Sequence, residues 1–114
     1  SSIDQARIRL QQQKQQLAQL RIDLAAEADT LKRQLPVVEQ SSKLARTSLE
    51  NDRRLLAIAK VAYRNGRMTT EEYLRFETRV LEAEAALQKT YVDRWQIISR
   101  QAVLYGDELT GVVQ

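Results

Sequence analysis

Ile3, Leu10, Leu17, Leu24, Leu31, Val38 and Ala45 recur at strict seven-residue spacing along the first part of the chain. From Leu24 a companion line joins them through Ala28, Leu35, Ser42, Leu49, Leu56 and Tyr63. Alternating steps of four and three place both lines on one helix face, the seam of a left-handed coiled coil. Before Leu24 the companion sites hold Arg7, Lys14 and Arg21, while Ala6 and Leu20 lie on the other flank. The apolar seam therefore changes face near Leu24, and a change of face implies a change of partner.

The only stretch with the character of a turn between long helices is Tyr63-Arg64-Asn65-Gly66-Arg67-Met68-Thr69-Thr70-Glu71-Glu72-Tyr73-Leu74. Asn65 and Gly66 tolerate the left-handed backbone of a helix C-terminus. Thr69 followed by Glu72 reads as a capping box, and Met68 and Tyr73 take the flanking staple positions. The second arm carries Phe76, Val80, Ala83, Leu87, Tyr91, Trp95, Ile98, Ala102 and Tyr105 on one face, with Leu74, Leu81, Ala85 and Val92 as a second apolar line. Two stripes on one helix call for two neighbours.

These patterns predict an all-α, antiparallel coiled-coil hairpin with unequal arms. Its helices span about residues 3–64 and 70–105, joined by a turn at 65–69 and followed by an irregular tail at 106–114. Pro36 offers an alternative, a three-helix bundle, if it starts a new helix. Lys32, Arg33, Gln34 and Leu35 supply no N-cap before it, and the heptads run through undisturbed, so a bend in one continuous helix is the expectation. Folded back from Gly66, the second helix reaches only to about Asp29. Residues 3–28 are left without an intramolecular partner, and Ile3, Leu10, Leu17, Leu20 and Leu24 are their candidate oligomer-interface residues.

Composition narrows the chemistry. The chain of 114 residues contains no Cys and no His, only 3 Gly and 1 Pro. That excludes disulfides, thiol and imidazole chemistry and the usual zinc sites. Glu71-Glu72 and Glu82/Glu84 do not share helix faces, and no serine or threonine has a base beside it, so no catalytic or cofactor site is expected. The 18 basic and 15 acidic residues are mixed along the chain. Mixing of this kind describes solvated helix faces and gives no concentrated basic stripe for nucleic acid. No apolar run approaches the ~20 residues of a membrane-spanning helix.

Ala62-Tyr63-Arg64-Asn65-Gly66, a short polar stretch, Leu74, the run Leu81-Glu82-Ala83-Glu84-Ala85-Ala86-Leu87 and the closing Ala102-Val103-Leu104-Tyr105-Gly106 resemble the TolC-like outer-membrane efflux proteins. The order of a long arm and then a short one is similar to the second structural repeat of that family. The resemblance implies a periplasmic α-helical hairpin within a larger, trimeric channel of the Gram-negative envelope, serving tripartite drug efflux or type I secretion. Its partners would be other copies of itself, a periplasmic adaptor and an inner-membrane pump, with membrane contact only through other parts of the parent protein. The tip residues Tyr63, Asn65, Gly66, Arg67, Met68 and Thr69 would dock the adaptor, and Glu72 and Arg75 would be aperture candidates. Arg75 stands where the family's segment is acidic, which argues against a cation-selective aperture. Two other readings remain at this point. The turn is also similar to the tip of periplasmic membrane-fusion adaptors, whose arms are usually matched in length, and a plain coiled-coil scaffold needs only the heptads.

Overall fold

The computed structural model describes the backbone of residues 1–113 and the side chains of residues 1–106. The fold is an antiparallel hairpin of two helices, α1 (Ser2–Arg64, 63 residues) and α2 (Thr70–Val113, 44 residues). Overall extents of 91 × 25 × 16 Å describe two rods side by side. At ~1.5 Å per residue α1 by itself is about 95 Å long, so it sets the length of the molecule.

α1 opens on Ser1, whose hydroxyl oxygen accepts the Asp4 amide at 3.3 Å, and Asp4 adds negative charge to the first turn. The helix then runs without interruption through Pro36. This settles the choice between one continuous helix and a three-helix bundle in favour of the continuous helix. Pro36 lies on the exposed side of α1. The Lys32 carbonyl that loses its partner there can be hydrated, which offsets part of the cost and leaves the clash of the proline ring with the preceding turn.

The seam between the arms follows the heptads from Leu24 onward. Leu24, Leu31, Leu35, Val38, Ala45 and Leu56 are half-buried, and Ser42, Leu49 and Ala59 are buried. Ala28 departs from the pattern: it is exposed, and Glu27 takes the half-buried place beside Leu24. The tightest packing is the cluster of Leu49, Val80 and Leu87, against which Ala45, Leu56 and Ala83 pack.

Two expectations for α2 are corrected. Helical backbone continues to Val113, where an irregular tail was expected from residue 106; Gln114 lies outside the described residues. Gly106 does not take the left-handed backbone that would end the helix, and Gly106 and Gly111 inside it cost only about 1 kcal/mol each. The second correction concerns the buried face. Phe76, Val80, Ala83 and Leu87 face α1 as the spacing implies, but Tyr91, Trp95, Ile98, Ala102 and Tyr105 do not. The seam continues instead through Thr90, Ile97, Gln101 and Leu104. A coiled-coil partner must keep the 3.5-residue period of the helix it packs on. The steps 87→91→95 advance one residue too many per two turns, which rotates Trp95 by about 100° off the seam. Polar Thr90 and Gln101 occupy true seam sites and disguised it.

Because the seam extends to Leu104, the arms stay together further than expected. Leu104 is buried, and Arg100 reaches Glu27 with a two-pronged contact whose longer arm is 2.9 Å. The stretch of α1 without a partner is thus residues 1–23, all exposed, in place of 3–28.

Candidate docking tip and exposed helix faces

The turn is defined by its backbone. Asn65 closes α1 at φ −87°, ψ 8°, and Gly66 follows at φ +69°. The Gly66 amide donates to the Tyr63 carbonyl at 3.1 Å and the Arg67 amide to the Ala62 carbonyl at 2.9 Å. These two bonds form a Schellman motif, which uses up carbonyls that a helix end would otherwise leave orphaned. Only Gly66 needs the left-handed region; the Asn65 backbone lies at negative φ.

On the other side of the turn, the Thr69 hydroxyl accepts the Glu72 amide at 3.1 Å, and the Thr69 carbonyl accepts the Tyr73 amide at 3.0 Å. Thr69 is therefore the N-cap of α2, with Glu71 and Glu72 in the positively polarised first turn. Met68 is half-buried where a staple residue belongs, as is Tyr73.

A ring pair ties the two helices together above the turn. Tyr63 and Tyr73 stack with centroids 4.8 Å apart and planes 18° from parallel. The Tyr63 hydroxyl also shares a hydrogen bond of 2.9 Å with the Thr70 hydroxyl. The sequence placed both tyrosines near the turn but did not pair them. The signal was available: they are the first seam positions on either side of Gly66. A hydrogen bond to Glu77, then burial, then the charge of that carboxylate push the Tyr73 hydroxyl above its ordinary pKa.

The two aperture candidates sit together on the first turns of α2. Both Glu72 and Arg75 are exposed. Arg75 pairs with Glu71 at 3.3 Å, one helical turn away, so its charge is partly matched locally. A second arginine, Arg79, lies over the Phe76 ring at 5.6 Å. Arg64 and Arg67 stand at the apex without a carboxylate at ion-pair distance among the described residues, so the extreme end of the hairpin is basic.

The remaining candidate residues divide. Ile3, Leu10, Leu17 and Leu20 are exposed on the free segment of α1, Ile3 by as much as 65%. Leu24 is not: it packs into the seam against α2, and so leaves the set of interface candidates. On α2 the residues displaced from the seam form an outer apolar face, with Tyr91, Val92, Trp95, Ile98, Val103 and Tyr105 all exposed and Trp95 at 68%. Leu74 and Leu81 continue the exposed apolar surface toward the tip. A folded monomer rarely leaves so many large apolar side chains in water on one continuous element. The total accessible surface of 9216 Å² makes the same point. A compact chain of this mass, 13.1 kDa, exposes about 6,400 Å².

Among the described residues no cluster of three or more acidic side chains is disposed to hold a metal ion, and no helix is long and apolar enough to cross a membrane. Comparison with protein-family models, curated proteins and solved structures finds no match to this chain.

Proposed function

We propose that this hairpin is a helical-tunnel segment of a TolC-like outer-membrane channel, working in the periplasm of a Gram-negative cell as a conduit wall and as the docking tip for an adaptor. The observation that carries the reading is the apolar surface left on both helices, away from their shared seam. A wall of side-by-side helices needs such second faces, since each helix touches a neighbour on both flanks. Unequal arms support it further, because the 23 free residues of α1 require a helix from elsewhere in the assembly.

In this reading the capped apex, with Gly66, Arg67, Met68 and Thr69, meets the periplasmic adaptor. The stack of Tyr63 on Tyr73 keeps the two helices in register just above that contact. Glu72 and Arg75 lie one to two turns from the apex, where they would face the aperture of the assembled tunnel. Self-association into a trimer, and handover from an inner-membrane pump, belong to the parent protein and follow from the same proposal.

Two measurements test it. The chain contains no cysteine, so Arg67→Cys and Met68→Cys introduce single reporters at the apex without a background. Crosslinking of the parent protein in intact cells should join these positions to a periplasmic adaptor, and a cysteine at the seam residue Ala59 should not. No envelope-protein adduct at either apex site would sink the docking role. Sedimentation equilibrium of the hairpin over a wide concentration range should show association. A strict monomer with residues 1–23 fully helical would remove the argument from the exposed faces.

A further inference from the structure

Packing along the seam is uneven, and the unevenness has a sharp boundary. Between the tip and Ala45 the arms share a buried apolar cluster of Leu49, Val80 and Leu87 with Leu56 and Ala83 packed on it and Ala59 only 1% exposed, interrupted on α1 by the half-buried Asp52. The next seam positions outward are Ser42 and Thr90. Ser42 is buried and its hydroxyl has no hydrogen-bond partner. Thr90 turns its hydroxyl back onto the Leu87 carbonyl at 2.6 Å and so offers nothing across the seam. An unpaired buried hydroxyl opposes packing at that layer.

Beyond this layer the seam changes character. On α1 the contributors Leu24, Leu31, Leu35 and Val38 are each only half-buried, and Pro36 has removed one helix bond among them. On α2, among the described side chains, only Ile97 and Leu104 are buried here, with Asp93 and Gln101 half-buried beside them. An open groove of about 760 Å³ runs beside Leu31, Val38 and Ile97, and a second of about 680 Å³ runs beside Leu49 and Leu87, so grooves flank both parts of the seam. Two ion pairs join the arms here, Glu27 with Arg100 and Glu39 with Arg94 at 3.7 Å, against one in the tip unit, Arg53 with Glu84 at 3.4 Å.

We infer that the hairpin is two separable packing units: a tip unit clamped by apolar burial and the tyrosine stack, and an open-end unit latched by Glu27–Arg100 and Glu39–Arg94 that parts while the tip stays closed. Ser42 and Thr90 are the break between them. The inference concerns the isolated fold and does not rest on the channel reading. Its consequence is that Leu31, Leu35, Val38, Ile97 and Leu104 become reachable together when the open end parts. Local opening of such a weaker unit follows from its lower share of buried apolar contacts.

Native-state hydrogen exchange on the full chain tests this, at two protein concentrations so that association is recognised. Amides of residues 24–40 and 92–104 should exchange at least tenfold faster than those of 45–62 and 73–90, with residues 1–23 faster again. Glu27→Gln should speed exchange about two- to fivefold in the open-end unit alone, the size expected for one exposed ion pair. Ser42→Val, which removes the unpaired hydroxyl but keeps a small side chain, should narrow the gap between the units. Equal exchange in both units, or equal acceleration of both by Glu27→Gln, would overturn the division. A gap unchanged by Ser42→Val would overturn the placing of the break.

Discussion

Alanine at Gly66 and alanine at Gly106 are expected to move stability in opposite directions, though the substitution is the same and both sites are exposed. A Cβ built on either residue meets nothing within 4 Å, so neither change is decided by crowding. What differs is the backbone. Gly66 sits at φ +69°, where an L-residue with a Cβ pays about 1–2 kcal/mol. Alanine also stiffens the unfolded chain, which returns about 0.4–1 kcal/mol. The net expectation is a loss of about 1 kcal/mol, smaller for Gly66→Asn and larger for Gly66→Val, whose branched Cβ fits the left-handed region worst. Gly106 lies within α2 at ordinary helical φ, where alanine gains up to about 1 kcal/mol, less if that end of the helix frays. Urea unfolding followed by circular dichroism at 222 nm, at one protein concentration, resolves differences of this size when the denaturant slope is unchanged. A stabilised Gly66→Ala would refute the Schellman turn. A destabilised Gly106→Ala would refute the helical continuation past residue 105.

The other predictions concern α1, the seam and the tip. Pro36→Ala should raise stability by up to about 3 kcal/mol, because a continuous helix recovers the bond to the Lys32 carbonyl; no gain in melting would restore the three-helix alternative. Leu49→Ala should cost about 2–4 kcal/mol in the same unfolding assay, while Leu44→Ala, on the exposed side, should stay within about 0.5 kcal/mol; similar losses at both would place the seam wrongly. Tyr63→Phe keeps the stack and loses only the bond to Thr70, so a loss of about 0.5–1 kcal/mol is expected by thermal melting. The hydrogen bond from Arg100, against the opposing effect of burial and with the help of the guanidinium charge, holds the Glu27 carboxyl below its ordinary value of 4.5. A depressed folded pKa means that the pair contributes fully above the unfolded value and is lost as pH falls through the folded one. Acid titration should therefore weaken the open end below about pH 4.5 in the native chain and leave Glu27→Gln less sensitive. Identical acid profiles would deny the pair any role.

Much of the candidate site was open to reading because its signals are local. Asn65-Gly66 and Thr69 with Glu72 specify caps through contacts within a few residues, and the caps formed where they were placed, although only the Thr69 half of the capping box is made among the hydrogen bonds described. Pairing Tyr63 with Tyr73 required knowing that both are first seam positions across the turn, which depends on the closed hairpin. The salt link of Arg75 to Glu71 is local too, but an exposed arginine has many partners in reach, and sequence spacing does not choose among them.

Periodicity in α1 determined the coiled-coil class, the continuous first helix and the inward face from Leu24 to Ala59, because seven-residue spacing of apolar side chains admits one low-energy packing. It also marked the change of face near Leu24. The tertiary structure decided the inward face of α2 beyond Leu87. There apolar content and helical phase disagree, and contact with a strictly periodic α1 enforces phase over hydrophobicity. That is why Thr90 and Gln101 face the seam and Trp95 faces water. It decided as well that α2 continues to Val113, since two isolated glycines, Gly106 and Gly111, are a weak signal against a run of helical hydrogen bonds.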